Sequence, residues 1–365
     1  MKSEKLPGSM KRIINLDVAR TFAITTVVLC HAVELIYSMN LDGWLQASRL
    51  TKIFRTVAFT TGRLGVPIFL FLTGYLLLSR TYKSERDVKK FYKKNLLPIV
   101  LTTEIWIIIY NIFMSIYNNT NFSIILLVKQ MLFLEKVNLM NTWYMPMIIG
   151  IYIVIPYLSN ILHSFPLKTL KLPLFLVFII CFIMPTVNLI LEVYGLELYS
   201  SILNISFLGG TYGLYIIVGY GLIHNKKLRN ISTFSVIVLS IISFGLACAV
   251  QLFRYIRYMP YNIWYDSPFI FICSLFLFEL FMRIKTEKLP NVVNTFFTYI
   301  SKISLSIYFI HIIVEMLLQP YIQRLAISNF IKLFILFSIS FIITILISWS
   351  TSKIKLVKNK VLLIK

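Results

Sequence analysis

Two basic side chains share one face of the first apolar run of this 365-residue sequence. Arg20 and His31 are eleven residues apart, which on an α-helix is three turns plus roughly 20°, or roughly 16 Å along the axis. A guanidinium can bind phosphate in bidentate fashion, and an imidazole can act as a general base or as a transient acyl acceptor. Coenzyme A bound at Arg20 could thus extend its thin arm toward His31. Alternatively, Arg20 only extends to the interface and His31 bonds a neighbouring helix.

Carboxylates accompany both residues. Asp17 precedes Arg20 by three positions, within reach of an ion pair, and Glu34 follows His31 by three. Arg63, in the second apolar run, lies at a depth similar to that of His31 and requires a partner, for which Glu34 or substrate oxygens are candidates. Arg63 could stabilise the oxyanion of a tetrahedral intermediate, or it could form a structural pair with Glu34.

Two further pairs of residues could contact a substrate. His311 and Glu315 are one turn apart in a late apolar run, where they either line a cavity or serve as structural hydrogen-bonding groups. Trp143 and Tyr144 open the fourth run at the outer face. They could stack on a sugar, or they could belong to the aromatic belt of a membrane interface.

The elements that position these residues are membrane-spanning helices. Of the chain, 58% is hydrophobic and 14% is charged, and the mean hydropathy is +0.81, more apolar surface than a soluble core can bury. The apolar segment at 120–134 is short and carries Lys129, so it is interpreted as an interfacial segment. The apolar runs of spanning length are 16–39, 57–79, 97–117, 143–163, 170–190, 205–223, 231–253, 266–283, 299–319 and 328–349.

The placement of charge predicts the orientation of these ten spans. Of the 36 Lys and Arg residues, 24 fall in one alternating set of loops, which includes both termini, 8 fall in the other set, and the rest lie inside spans. This bias places both termini in the cytoplasm. It also explains the net charge of +22, because the basic residues set the topology and contact anionic membrane lipids. Nucleic-acid binding is therefore not expected. We expect an all-α integral membrane protein with one domain, 16–349, between cytoplasmic tails 1–15 and 350–365.

The strongest basic cluster, 80–96, contains Lys90, Lys93 and Lys94. It is either an ordinary cytoplasmic loop or a site for the phosphates and adenosine of an acyl-CoA. The four cysteines lie in apolar runs without metal-ligand spacing, so neither a disulfide nor a metal site is expected.

Four runs of residues resemble the motifs of the acyltransferase family 3 membrane proteins, in the family's order. The family's usual Ser is replaced by Thr73 in the second run, and its Gly by Leu305 in the last. The runs are LDVARTFAITTVVLCH (16–31), GRLGVPIFLFLTGYLLL (62–78), NTWYMPMIIGIYIVIPYL (141–158) and SLSIYFIH (304–311).

The resemblance implies ten spans in the inner or plasma membrane of a bacterium, with cytoplasmic acetyl-CoA as the acyl donor. It implies a glycan acceptor, either polyprenyl-linked or on the cell surface, and carries over Arg20 and His31 as the essential pair. The chain is most similar to short members that acetylate a surface glycan. The family's Arg-x-x-Arg after the second span is replaced here by Lys90, Lys93 and Lys94, which bind phosphate only as point charges.

The expected function is therefore that of an O-acetyltransferase. The alternative is an exporter of a glycan or a lipid-linked glycan without acyl chemistry, for which the polar residues inside the spans would line a path. Transporters of that kind often contain broken helices in matching halves of the chain. This sequence contains no such pair of segments.

Overall fold

The computed structural model describes residues 12–37, 41–201, 209–224 and 226–364, and within them all regular structure is helical. Residues 1–11 of the predicted tail, and 38–39 and 205–208 of two predicted spans, lie outside the described residues. The helices are α1 (Ile14–Ile36), α2 (Leu41–Leu45), α3 (Arg49–Gly62), α4 (Gly65–Leu77), α5 (Glu85–Phe91), α6 (Leu97–Tyr117), α7 (Ile124–Met131), α8 (Tyr144–Ser164), α9 (Lys171–Phe178), α10 (Met184–Val193), α11 (Gly210–His224), α12 (Lys226–Arg229), α13 (Thr233–Ile256), α14 (Pro268–Arg283), α15 (Asn291–Gln323) and α16 (Asn329–Thr351).

The protein is an all-α integral membrane protein, as predicted. Eight helical stretches in the described part of the chain are long and apolar enough to cross a membrane, and each overlaps a predicted span. They are Ile14–Ile36, Arg49–Leu77, Glu85–Tyr117, Tyr144–Ser164, Lys168–Val193, Thr233–Ile256, Asn291–Gln323 and Asn329–Thr351. The sixth and eighth predicted spans correspond to α11 and α14, which have 15 and 16 residues. The number ten and the orientation remain predictions.

The basic segment 80–96 is mostly helical, which corrects the prediction of a loop. Ser84 caps α5, since its hydroxyl accepts from the Asp87 amide while the Asp87 carboxylate accepts from the Ser84 amide. A π-turn, Tyr92–Leu96, then continues into α6. Hydropathy predicted that the third span begins at residue 97, because the lysines before it lower the hydropathy. The capping box instead starts helical structure at Glu85.

Helix α7 has the properties expected of an interfacial helix. It is eight residues long and is capped by Ser123. Its apolar side chains are turned outward, with Ile124 70% and Ile125 73% exposed. Such a surface is stable only against lipid, so α7 fits the boundary between acyl chains and headgroups.

Helix α1 is the centre of the bundle. It packs against α3, α4, α14, α15 and α16. Small side chains let these neighbours come close, and Ala19, Ala23 and Ala32 are completely buried. Close packing on several sides therefore fixes the positions of the residues of α1.

Helices α4 and α11 meet through two glycines. A Cβ added at Gly74 would lie 1.8 Å from the Ile216 carbonyl oxygen, and one added at Gly219 would lie 2.4 Å from the Phe71 carbonyl oxygen. The two backbones are thus in direct contact, which only glycine allows.

We predict that Gly74→Ala lowers the free energy of unfolding by about 1–3 kcal/mol, since the backbones must separate to admit the methyl group. Thermal denaturation of the detergent-purified protein measures this effect. Gly150→Ala is the matched control, because an added Cβ there meets no atom within 4 Å. A helical alanine should leave stability unchanged or raise it. Equal melting temperatures for Gly74→Ala and the wild type would contradict the close contact.

Candidate active site

A cavity of about 530 Å³ opens near the beginning of α1, and its wall is rich in cations. We call it the basic cavity. Its neutral wall includes Phe69, Tyr144 and Tyr308. Its cationic residues are Arg12, Arg20, Arg80, Lys94 and Lys302. No acidic side chain lines it among the described residues, so its field favours an anion with several charges.

Arg20 is not paired with Asp17, which corrects the predicted ion pair. The Asp17 carboxylate instead accepts two hydrogen bonds from Arg12, at 2.6 and 2.8 Å. Arg12 precedes α1 and can therefore fold over its first turn. Arg20 turns the other way and donates to the Ser301 hydroxyl at 3.2 Å. Within the described residues, no carboxylate lies within ion-pair distance of Arg20, so its guanidinium is available to a ligand.

Only one of the three predicted lysines lines this cavity. Lys94 forms part of the wall, whereas Lys90 and Lys93 do not. All three are exposed on the helical stretch that leads into α6. Lys90 and Lys93 can therefore act on an anion in the cavity only by long-range electrostatic attraction, which the solvent screens.

A second, much smaller cavity of about 20 Å³ lies deeper in the bundle. We call it the histidine cavity, and its wall includes His31, Arg63, Asn141, Trp143, Tyr144 and Tyr308. The side chains of Phe69, Tyr144 and Tyr308 border both this cavity and the basic cavity. We call these three aromatic residues the partition; within the described structure they are the residues that line both cavities.

A chain of three linked side chains reaches the histidine cavity, with His31 and Arg63 on its wall and Glu34 between them. His31 Nδ1 lies 2.7 Å from one oxygen of Glu34, and Arg63 Nη2 lies 3.4 Å from the other. His31 and Arg63 are 7% and 3% exposed. Since a neutral imidazole with Nδ1–H donating to a carboxylate leaves Nε2 as the acceptor, this arrangement suits His31 to proton abstraction.

Arg63 is placed by a break in the helix. Pro67 has no N–H for the Arg63 carbonyl oxygen, and its ring would clash with that oxygen in a continuous helix. α3 accordingly ends at Gly62 and α4 begins at Gly65. The Arg63 guanidinium then lies 3.9 Å from the ring centre of Trp264, and its Nε has no hydrogen-bond partner. One donor of this cation is thus available to a substrate oxygen.

Trp143 and Tyr144 both lie in the wall of the histidine cavity. Trp143 stacks on Tyr265 with ring centres 5.4 Å apart, and Tyr144 packs against Tyr308 at 5.6 Å. Both side chains are half-buried. Contact with a substrate by these two residues remains a prediction.

His311 and Glu315 lie behind the site, not on a cavity wall. Both are completely buried, and the ring centre of His311 is 5.4 Å from that of His31. His311 Nδ1 donates to the Ile307 carbonyl oxygen at 2.9 Å. The structure places neither residue where it lines one of the three cavities, so direct contact with a substrate would require the partition or His31 to move.

Asn141 is a site residue that was not singled out from the sequence. Its Nδ2 donates to the Tyr308 carbonyl oxygen at 3.2 Å and to the Tyr110 hydroxyl at 3.1 Å. A carbonyl oxygen can only accept, so these contacts fix the amide orientation. The other end, Oδ1, is buried without a partner. The signal in the sequence was an asparagine beside the Trp143–Tyr144 pair, and an orphaned amide oxygen there can bind a substrate O–H or N–H.

A third cavity, of about 600 Å³, lies between α6, α7 and the beginning of α8. We call it the side cavity. Trp143 and Tyr308, which also line the histidine cavity, form its inner end. Its outer rim includes Phe133, Leu134 and Lys136, all exposed. The histidine cavity is therefore approached from two sides, one cationic and one mostly apolar.

No group of three or more His, Cys, Asp or Glu side chains in the described ranges is arranged to hold a metal ion. The four cysteines are free thiols.

Comparison with known families identifies the chain. A family model described as an acyltransferase domain matches residues 13–353. The chain belongs to acyltransferase family 3. This membership confirms the family that the four sequence motifs indicated, and it makes the protein an acyltransferase of the membrane. No curated protein and no solved structure matches the chain.

We predict that Glu34→Gln slows acyl transfer by this acyltransferase by at least about 10²-fold, since the neutral amide no longer orients or strengthens His31 as a base. The rate is measured as acyl label incorporated into native acceptor in membranes from expressing cells. Glu192→Gln is the control, because Glu192 also contacts an arginine, Arg254 at 2.9 Å, but lines none of the three cavities. A wild-type rate for Glu34→Gln would remove Glu34 from the mechanism.

Proposed function

We propose that this acyltransferase moves an acetyl group from cytoplasmic acetyl-CoA to a hydroxyl group of a membrane-held glycan, in the inner or plasma membrane of a bacterium. The observation that carries the proposal is the shared partition. A polycationic cavity and a cavity lined by a carboxylate-bound histidine share three wall residues, Phe69, Tyr144 and Tyr308.

The basic cavity suits the phosphates of the donor. Coenzyme A carries phosphate groups at one end and a thioester at the other. Arg20 can bind a phosphate through a planar fork, and Arg80, Lys94 and Lys302 add charge around it. The pantetheine arm would then pass between Tyr144 and Tyr308. Small rotations of these two rings would open a passage through which the thioester could reach His31.

His31, Glu34 and Arg63 can together carry out the acyl transfer. The acceptor hydroxyl oxygen attacks the thioester carbon while His31 Nε2 removes its proton. Glu34 stabilises the imidazolium through Nδ1–H, and the free Nε–H of Arg63 can donate to the oxyanion. When the tetrahedral intermediate collapses, the carbon–sulfur bond breaks, the ester forms and the coenzyme A thiolate takes the proton from His31.

The side cavity is the proposed route of the acceptor. It ends on Trp143, whose face can stack on a sugar ring. Its rim lies beside α7, the interfacial helix, so a glycan anchored by a polyprenyl chain could reach it without leaving the membrane.

We predict that Arg20→Gln weakens acetyl-CoA binding roughly 10- to 100-fold, the loss expected for hydrogen bonds to a charged group. The dissociation constant is measured by calorimetry on detergent-purified protein. Arg86→Gln removes the same charge from an exposed position at the same end of the bundle and should bind as the wild type does. If Arg20→Gln also bound normally, the phosphates would have to lie elsewhere, and no binding by the folded wild type would reject this donor.

We predict that Met316→Trp raises the acceptor KM roughly tenfold while leaving acetyl-CoA affinity unchanged, because the larger side chain fills part of the side cavity. Leu317→Trp is the control, since Leu317 is 50% exposed and does not line the cavity. The acceptor KM is measured from initial rates in membranes supplemented with increasing amounts of acceptor, and the acetyl-CoA affinity is measured separately by calorimetry. An unchanged acceptor KM in Met316→Trp would exclude the side cavity as the route.

A further inference from the structure

The segment 355–364, which the sequence predicted as part of a basic tail, folds back into the bundle. We call it the returning segment. Helix α16 ends at Thr351, and a π-turn, Val357–Val361, follows. Leu362 is only 3% exposed and belongs to the main hydrophobic core. These residues are therefore part of the folded domain, not a charged extension of it.

Side chains of α6 hold the returning segment in place. The Thr102 hydroxyl donates to the Lys360 carbonyl oxygen at 2.7 Å, and Trp106 Nε1 donates to the Val361 carbonyl oxygen at 2.8 Å. Leu363 then adopts a φ of 47°, in the left-handed region that L-residues rarely occupy. Such a conformation persists only where the surroundings determine it. The side chains that follow the π-turn are thus placed by specific contacts.

Three side chains of the returning segment line the basic cavity. They are Asn359, Leu363 and Ile364. Pro98 and Ile99 of α6, the helix to which the segment is bound, line the same cavity. This part of the wall carries no charge, in contrast to Arg20 and the other cations. A ligand that fits the whole cavity has both a charged part and a flat or apolar part with a polar edge.

We infer that the returning segment binds the adenine ring of the coenzyme A donor, with Asn359 on its polar edge and Leu363 against its face. The inference rests on the proposed donor and assigns the nucleotide end to a place that the sequence had assigned to 80–96. A carboxamide matches adenine because it can accept from N6–H and donate to N7 at once. The Asn359 side chain is exposed and makes no hydrogen bond within the described structure, so both of its groups are available.

The test compares acetyl-CoA with its analogue in which hypoxanthine replaces adenine. Hypoxanthine has an oxygen where adenine has the N6 amino group, so Asn359 cannot make both bonds to it. Calorimetry on the full-length purified chain should show that the wild type binds acetyl-CoA roughly tenfold more tightly than it binds the hypoxanthine analogue. In Asn359→Ala, the two ligands should bind equally, at about the affinity of the wild type for the analogue.

Two further variants separate ring contact from damage to the fold. Leu363→Ala should weaken both ligands by a similar factor of several-fold, because the two bases offer the same face. Leu356→Ala is its matched control, since Leu356 is 70% exposed and does not line the cavity, and it should bind both as the wild type does. Melting temperatures check folding. Since Asn359 is exposed, Asn359→Ala should remain folded even if Leu363→Ala does not.

The outcomes distinguish this inference from the proposed function. If wild type binds acetyl-CoA but Asn359→Ala retains the preference for adenine, or if wild type has no preference, the adenine assignment is wrong while the donor stands. If the folded wild type binds neither ligand, the proposed donor itself is wrong.

Discussion

The contact on which the active site depends is the buried link from His31 through Glu34 to Arg63. A carboxylate or a guanidinium inside an apolar bundle is costly unless it is paired. Glu34 meets this requirement for both neighbours at once, since each of its oxygens faces one of them. The same contact orients the imidazole and holds Arg63 at the cavity wall. Structural pairing and a catalytic role, which the sequence presented as alternatives for Arg63, are compatible in this geometry.

The second constraint is the support of the partition. The Tyr308 hydroxyl donates to the Asn141 main-chain carbonyl oxygen, and the Tyr110 hydroxyl donates to that of Phe309 at 2.8 Å. These bonds tie α15 to α6 and to the residues before α8, so the side chain of Tyr308 stands where all three cavities meet. In the proposed mechanism, donor and acceptor approach from different sides of this ring. Separate routes would keep the thioester away from water until the acceptor is present.

Local rules predicted much of this arrangement. Helical periodicity is a property of neighbouring residues, so the shared face of Arg20 and His31 could be predicted from spacing, as could the reach of Glu34 toward His31. Hydropathy predicted the membrane class and most spans. Predictions failed where a distant element decides the partner. Asp17 is closer in sequence to Arg20, three residues away, than to Arg12, five residues away, yet it binds Arg12, whereas Arg20 donates to the distant Ser301 of α15. The returning segment could not be predicted, since its partners Thr102 and Trp106 are over 250 residues away.

The pairing of arginines in this membrane protein points to the place where a ligand is needed. Arg12, Arg63, Arg254 and Arg283 each contact a carboxylate in the described structure. The chain has only 14 acidic residues for 36 basic ones, so carboxylates are scarce. Asp17, Glu34, Glu192 and Glu279 each contact one of these arginines. Arg20 has a hydroxyl instead, at a wall shared with Arg80, Lys94 and Lys302. This concentration of positive charge, on a cavity wall without an acidic side chain among the described residues, is most simply explained by an anion that arrives with the substrate.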